Sequence, residues 1–114
     1  MRYLKKGFMA EDTILDALYG KGIRCQMAPK EWDHRYKVDI VARVGDTFYL
    51  IQVKAGDGLK ETRPVIPDGW KAPANNTICK VIHVCGDIEN GNIPADELME
   101  LLTSDSMEGT IWAI

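Results

Sequence analysis

The stretch from Lys37 to Lys54 constrains the fold more than any other part of the chain. Two runs, Lys37–Val44 (KVDIVARV) and Thr47–Lys54 (TFYLIQVK), are rich in β-branched and aromatic residues, and only Gly45 and Asp46 separate them. A two-residue loop with Gly at its first central position suits a type II′ turn, the kind whose twist matches an antiparallel hairpin. So short a loop also fixes the register: Val44 faces Thr47, Val41 faces Leu50 and Asp39 faces Gln52. Alternation then places Lys37, Asp39, Val41 and Arg43 on one face with Phe48, Leu50, Gln52 and Lys54.

Elements on either side of the hairpin follow from periodicity. Ala10–Tyr19 (AEDTILDALY) repeats Ile14, Leu15 and Leu18 at helical spacing, with acids early and Gly20-Lys21-Gly22 at its end. A short strand is expected over Ile23–Ala28, broken by Pro29, and a polar loop over Lys30–Tyr36. Residues 55–76 are rich in Gly and Pro, long for a structureless connection, and are read as a functional loop or one hiding a short element. Ile78–Cys85 (ICKVIHVC) is almost wholly apolar and is expected as a strand buried on both faces. Pro94 opens a second helix over Ala95–Leu102, and Thr110–Ile114 forms a last strand. The expected class is therefore α/β: a small mixed β-sheet flanked by helices, in the order α-β-β-β-loop-β-α-β. At 114 residues the chain is read as one domain, 1–114.

Composition excludes several classes. Hydrophobic residues make up 46% and charged residues 27%, which argues against disorder. No apolar run is long enough for a membrane helix, and the first residues turn polar too soon for a signal peptide. Three scattered cysteines suit a reducing, cytoplasmic setting rather than a disulfide framework. The net charge of −3 hides a split, because all 14 Lys and Arg precede residue 81, after which only acids remain. That asymmetry permits a basic working face in the first 80 positions.

One constellation carries chemistry. In the hairpin register, Asp39, Gln52 and Lys54 converge at one end of an otherwise apolar face. Glu11 lies on the apolar stripe of the first helix, and points toward that trio if the stripe packs on the same hairpin face. Two acids, an amide oxygen and an ammonium form a set suited to a hard divalent cation that keeps some of its waters.

Glu11, Asp39 and Gln52-Val53-Lys54 resemble the PD-(D/E)XK nuclease superfamily, in the variant where Gln replaces the acid of the triplet. The pattern is similar to group I intron-encoded homing endonucleases with a QxK site, and more distantly to archaeal Holliday junction resolvases. The similarity runs over roughly residues 5–55, including Lys6-Gly7, Gly22, Pro29 and the Val-Asp-Ile-Val strand, and touches Ile93–Leu98 again. It implies a restriction-endonuclease-like core and Mg²⁺- or Mn²⁺-dependent hydrolysis of DNA phosphodiester bonds. Asp39, the Val53 carbonyl, Gln52 and, more remotely, Glu11 would hold the metal, and Lys54 would orient the attacking water and stabilise phosphate charge. Gln52 removes one negative charge from the family's pattern, and a Gly/Pro-rich stretch stands where a helix should follow the triplet. Cutting both strands of a duplex implies a homodimer or higher oligomer. DNA, duplex or branched, would meet Lys30, His34, Arg35, Lys37, Lys60, Arg63 and Lys71.

Plainer readings stand beside these. Asp39 and Lys54 also fit a cross-strand ion pair of little energetic worth. A catalytically inactive nuclease-like fold acting as a protein- or DNA-binding module is the alternative function. Cys79, His83 and Cys85 share a strand face but lack a fourth ligand, so they are read as buried structural residues rather than a zinc site. Trp32 and Trp70 are assigned to packing ahead of base stacking.

Overall fold

The structure, a computed structural model, describes residues 6–56, 63–72 and 76–114. These form α1 (Lys6–Gly20), β1 (Arg24–Met27), α2 (Lys30–Tyr36), β2 (Ile40–Val44), β3 (Thr47–Ala55), β4 (Asn76–Gly86), α3 (Ala95–Thr103) and β5 (Glu108–Ala113). The five strands lie in sequence order in one mixed sheet, β1-β2-β3-β4-β5. The first two pairings are antiparallel, whereas β3 with β4 and β4 with β5 run parallel. No helix among the described residues is long and apolar enough to cross a membrane.

The hairpin register is the expected one from Val44 opposite Thr47 to Ile40 opposite Ile51, but the expected pairing of Asp39 with Gln52 is not formed, because the Asp39 N–H donates to the Ile51 carbonyl instead. Gly45 has φ +60°, and Asp46 keeps a negative φ, as a type II′ turn requires. β3 pairs with β4 over nine positions, from Thr47 with Asn76 to Ala55 with Val84. β4 is buried from Lys80 to Cys85, so its apolar run is indeed covered on both faces.

α1 ends where glycine permits. Gly22 adopts φ +73°. Its N–H donates to the Tyr19 carbonyl and the Ile23 N–H to the Leu18 carbonyl, both at 3.0 Å. This is a Schellman closure, and Ile23 packs back onto the core beside Leu18. The helix lays Ala10, Ile14, Leu15 and Leu18 against Ile40, Ala42, Tyr49, Ile51 and Val53, joined by Ile82 and Val84. Each fully buried Ile, Leu or Val contributes roughly 1.5–3 kcal/mol. This overturns the expected helix face: the stripe covers the side of the hairpin opposite Val41, Leu50, Gln52 and Lys54. The reason is charge, since the face α1 chose presents no charged side chain, whereas the other carries Arg43, Gln52 and Lys54.

That other face has its own cover. Leu50, Val81 and Val38 are buried there. Phe48 meets Trp70 edge-on at 5.9 Å, and Trp70 meets Trp32 of α2 edge-on at 5.7 Å. Val65 N–H donates to the Tyr36 carbonyl at 2.8 Å, tying residues 63–72 to α2. The described part of the Gly/Pro-rich connection is thus a lid of irregular chain, with Pro64 and Pro67 buried.

Two further expectations are corrected. Lys30–Tyr36 is a helix rather than a loop, and the strand begins at Ile40 rather than Lys37. Lys37 takes the left-handed conformation (φ +60°) and closes α2, its N–H donating to the Asp33 carbonyl and the Val38 N–H to the Trp32 carbonyl. The left-handed turn redirects the chain before Asp39.

Lys80 sits 1% exposed in the middle of β4, on the α1 and α3 side. Its ammonium donates to the carbonyls of Leu101 (3.2 Å), Ser104 (2.7 Å) and Ser106 (2.5 Å), using all three of its hydrogens at the C-terminal end of α3. Burial pushes its pKa down, with a small opposing pull from Asp105. The cation both satisfies orphan carbonyls and meets the negative end of the helix. Lys80→Met, which keeps the length and removes the donors, is expected to destabilise by roughly 1–3 kcal/mol through carbonyls left without a partner. A urea titration checks this, and an unchanged midpoint would refute it.

Candidate functional site

The site forms where β2 begins. The ladder pairs Ile40 with Ile51, yet the Asp39 N–H also donates to the Ile51 carbonyl at 2.8 Å. Asp39 and Ile40 thus both stand against Ile51, two residues against one as in a β-bulge. β3 continues past this point through Gln52, Val53 and Lys54 without a β2 partner. The Asp39 carboxylate fills the gap: its Oδ2 accepts the Val53 N–H at 2.8 Å. In an extended strand the N–H and C=O of one residue point to the same side, so the Val53 carbonyl is turned toward Asp39 as well.

Three carboxyl groups act on one another there. Asp39, 5% exposed, lies within electrostatic reach of Glu11 on α1 and hydrogen-bonds the Asp33 carboxyl on α2. Burial first, then the hydrogen bond with Asp33 and the charges of Glu11 and Asp33, hold the Asp39 carboxyl far above the usual carboxylate range; the Val53 N–H pulls the other way. Glu11 rises from 4.5 to about 7, through burial first and then the charges of Asp33 and Asp12. Asp33 is exposed and was not among the residues expected at the site. α2 brings it there, since Lys37 closes that helix only two residues before Asp39.

The expected residues are therefore partly united. Glu11, Asp39 and the Val53 backbone come together. Gln52 is buried at 5% exposure, and Lys54 is half-buried, but both alternate to the sheet face away from α1. Asp39 lies just past the end of the β2–β3 ladder. Among the described residues, no three His, Cys, Asp or Glu side chains are gathered closely enough to hold a metal ion by themselves. A cation here would draw on the carbonyl and amide oxygens and on water.

Of the candidate DNA contacts, Lys30, His34 and Lys37 line one cleft of about 560 Å³ with Glu31 and Asp33, directly beside the acids. Arg35 lies on the adjacent side of α2, where its guanidinium sits 5.5 Å from the Tyr36 ring centre. Arg63 and Lys71 are exposed on the lid, and Lys60 lies outside the described residues. A larger cavity of about 700 Å³, between Tyr19, β1 and Phe48, touches none of the acids. On the far face, His83 and Cys85 are buried and Cys79 is half-buried, as read for structural residues.

The crowded acids give a pH signature. Glu11 and Asp39 have folded values above their unfolded ones, so folding favours the protonated forms. Their stabilisation is complete below the unfolded values and is lost as pH rises through the folded ones. In metal-free buffer the melting temperature is expected to fall between pH 4.5 and about 7, the Glu11 window. Asp39→Asn, which keeps an acceptor for the Val53 N–H, should raise neutral-pH stability by roughly 0.5–2 kcal/mol and flatten the pH profile. Calorimetric melts of both proteins across that range check it, and a wild-type profile as flat as the variant's would refute it. No protein-family model matches the chain, and no curated protein or solved structure matches it, so the reading of this site rests on its own geometry.

Proposed function

We propose that the protein is a Mg²⁺-dependent DNA endonuclease built on a restriction-endonuclease-like core and acting as a homodimer or higher oligomer. The observation that carries this reading is the buried Asp39 carboxyl on the Val53 N–H, with the charges of Glu11 and Asp33 acting on it, beside the strand that bears Gln52 and Lys54. Like charges packed in a partly buried place are unstable alone, and a divalent cation is the partner that relieves them. Asp33 adds a carboxylate where Gln52 removes one from the triplet.

In this reading Asp39, the Val53 carbonyl and, from the other side of the strand, Gln52 would hold the cation, with Glu11 and Asp33 adding negative charge nearby. When bound, Mg²⁺ or Mn²⁺ polarises the phosphoryl oxygen and makes hydroxide accessible near neutral pH. Lys54 orients the attacking water and offsets charge on the phosphate. Lys30, His34 and Lys37 lead a phosphate backbone along α2 to the acids, their contacts independent of sequence.

Supercoiled plasmid DNA should be nicked with Mg²⁺ and left intact with EDTA, and Lys54→Ala should reduce the rate at least 100-fold, about the smallest loss expected for a proton-handling group. Lys37→Gly offers a second measure. Glycine relieves a left-handed strain of roughly 1–2 kcal/mol, and the backbone freedom it adds to the unfolded chain offsets part of this, so the fold should be stabilised by less than that. Loss of one phosphate contact should lower the log–log salt slope of DNA binding by about 0.9. DNA binding without Mg²⁺-dependent nicking would instead favour an inactive nuclease-like binding module. The absence of salt-dependent binding to linear and branched duplexes would remove the nucleic-acid reading altogether.

A further inference from the structure

α2 and the Lys37 that closes it stand between two cavities. Lys30, Asp33, His34 and Lys37 line the cleft beside the acids, Trp32, Arg35 and Tyr36 line a second one of about 280 Å³, and Glu31 borders both. Each set follows the i, i+3, i+4 spacing of one helix face, so the two cavities sit on adjacent sides of a rod about 10–12 Å across. Residues 67–70 complete the second cavity, with Asp68 on its rim and Trp70 in its wall.

The chemistry of the two differs. The first carries two lysines and a histidine beside Glu31 and Asp33, and has no aromatic side chain in its lining. The second carries Glu31 and Asp68 against a single arginine, and Trp32, Tyr36 and Trp70 are half-buried around it. Trp70 meets both Trp32 and Phe48 edge-on (77° and 79°), so neither contact is a face-to-face stack. The Arg35 guanidinium lies over the Tyr36 ring, adding a second planar surface. Carboxylates accept hydrogen bonds from the exocyclic amino groups of bases. About 280 Å³ lies at or just below the small end of ligand cavities and fits one planar heterocycle rather than an extended chain.

We propose that this second cavity receives one unstacked nucleobase, so that the protein prefers DNA with an unpaired nucleotide one helix-width from the Asp33–Asp39 acids. Phosphates on Lys30, His34 and Lys37 would hold the strand while the base turns into the aromatic wall. The inference rests on the proposed function for its choice of nucleic acid, but base binding is separable from cleavage.

The test uses the full chain in EDTA, with tryptophan fluorescence reporting binding of single-stranded oligo-dC and of an abasic strand of equal length. Stacking of one base predicts roughly tenfold tighter binding of the base-bearing strand. Arg35→Ala with Tyr36→Ala should erase that difference while the far-ultraviolet circular dichroism is kept; Arg35→Ala alone, on an exposed residue, should reduce it if the double variant fails to fold. Equal affinity for the two strands overturns the inference, as does a preference that survives these substitutions. Quenching by a proline-rich peptide, with none by oligo-dC, overturns it in favour of peptide binding. Duplex nicking with Mg²⁺ is measured separately. Nicking without base-dependent binding removes the base cavity alone, and base-dependent binding without nicking removes the nuclease reading while supporting the cavity.

Discussion

The hydrogen bond from the Val53 N–H to the Asp39 carboxylate, 2.8 Å long and buried, is the contact on which this architecture turns. It occurs where a backbone carbonyl of β2 would otherwise serve, so a side chain completes the sheet. The substitution lets β2 start late, at Ile40, and leaves Lys37 and Val38 free to close α2 and turn the chain. It also fixes an acid where burial opposes its charge. Desolvation raises the Asp39 pKa and the amide lowers it, and the first effect is the larger. The carboxyl is thus held in place by a donor that favours its anion, inside surroundings that favour its acid.

Much of the fold was legible because the hairpin states its own register. With two residues between Val44 and Thr47, one pairing follows from turn geometry, and the structure has it. The apolar run of β4 likewise announces a strand covered on both sides. α2 was not legible, because Lys30–Tyr36 has a single Trp and no apolar stripe; its signals are Pro29 before it, acids early and bases late. The face chosen by α1 was open to error for a related reason. Both hairpin faces are largely apolar, and the preference for Ile40, Ala42, Tyr49, Ile51 and Val53 emerges only when the whole surfaces are compared. Lys80 left no trace in the pattern, since a single lysine in a strand reads as an interruption until the end of α3 is placed over it.

The candidate site was half legible for the same reason. Glu11 and Asp39 were picked out by position on an apolar stripe and in a strand, and both reach the end of the β2–β3 ladder. Asp33 was hidden, because its place depends on a helix with no periodic signal and on the left-handed Lys37. Gln52 and Lys54 were assigned correctly to one face, but α1 stands on the other. The bulge at Asp39 is what lets an acid reached from α1 remain beside the strand that carries them.

Metal, pH and stability form a single axis in the proposed reading. Protonated carboxyls fold well and bind cations poorly; ionised ones do the reverse. Raising the pH through the Glu11 value of about 7 therefore removes stability from the free protein while creating the charge that attracts Mg²⁺. A cation that binds only the folded form then returns stability by mass action, by about 2.7 kcal/mol at one hundred times its dissociation constant. Its stabilising effect should accordingly grow with pH, and Asp39→Asn should diminish both the loss and the recovery. A protein held together by a simple Asp39–Lys54 ion pair has the opposite dependence, gaining stability as the acid ionises, so the sign of the pH effect separates a functional site from a structural one.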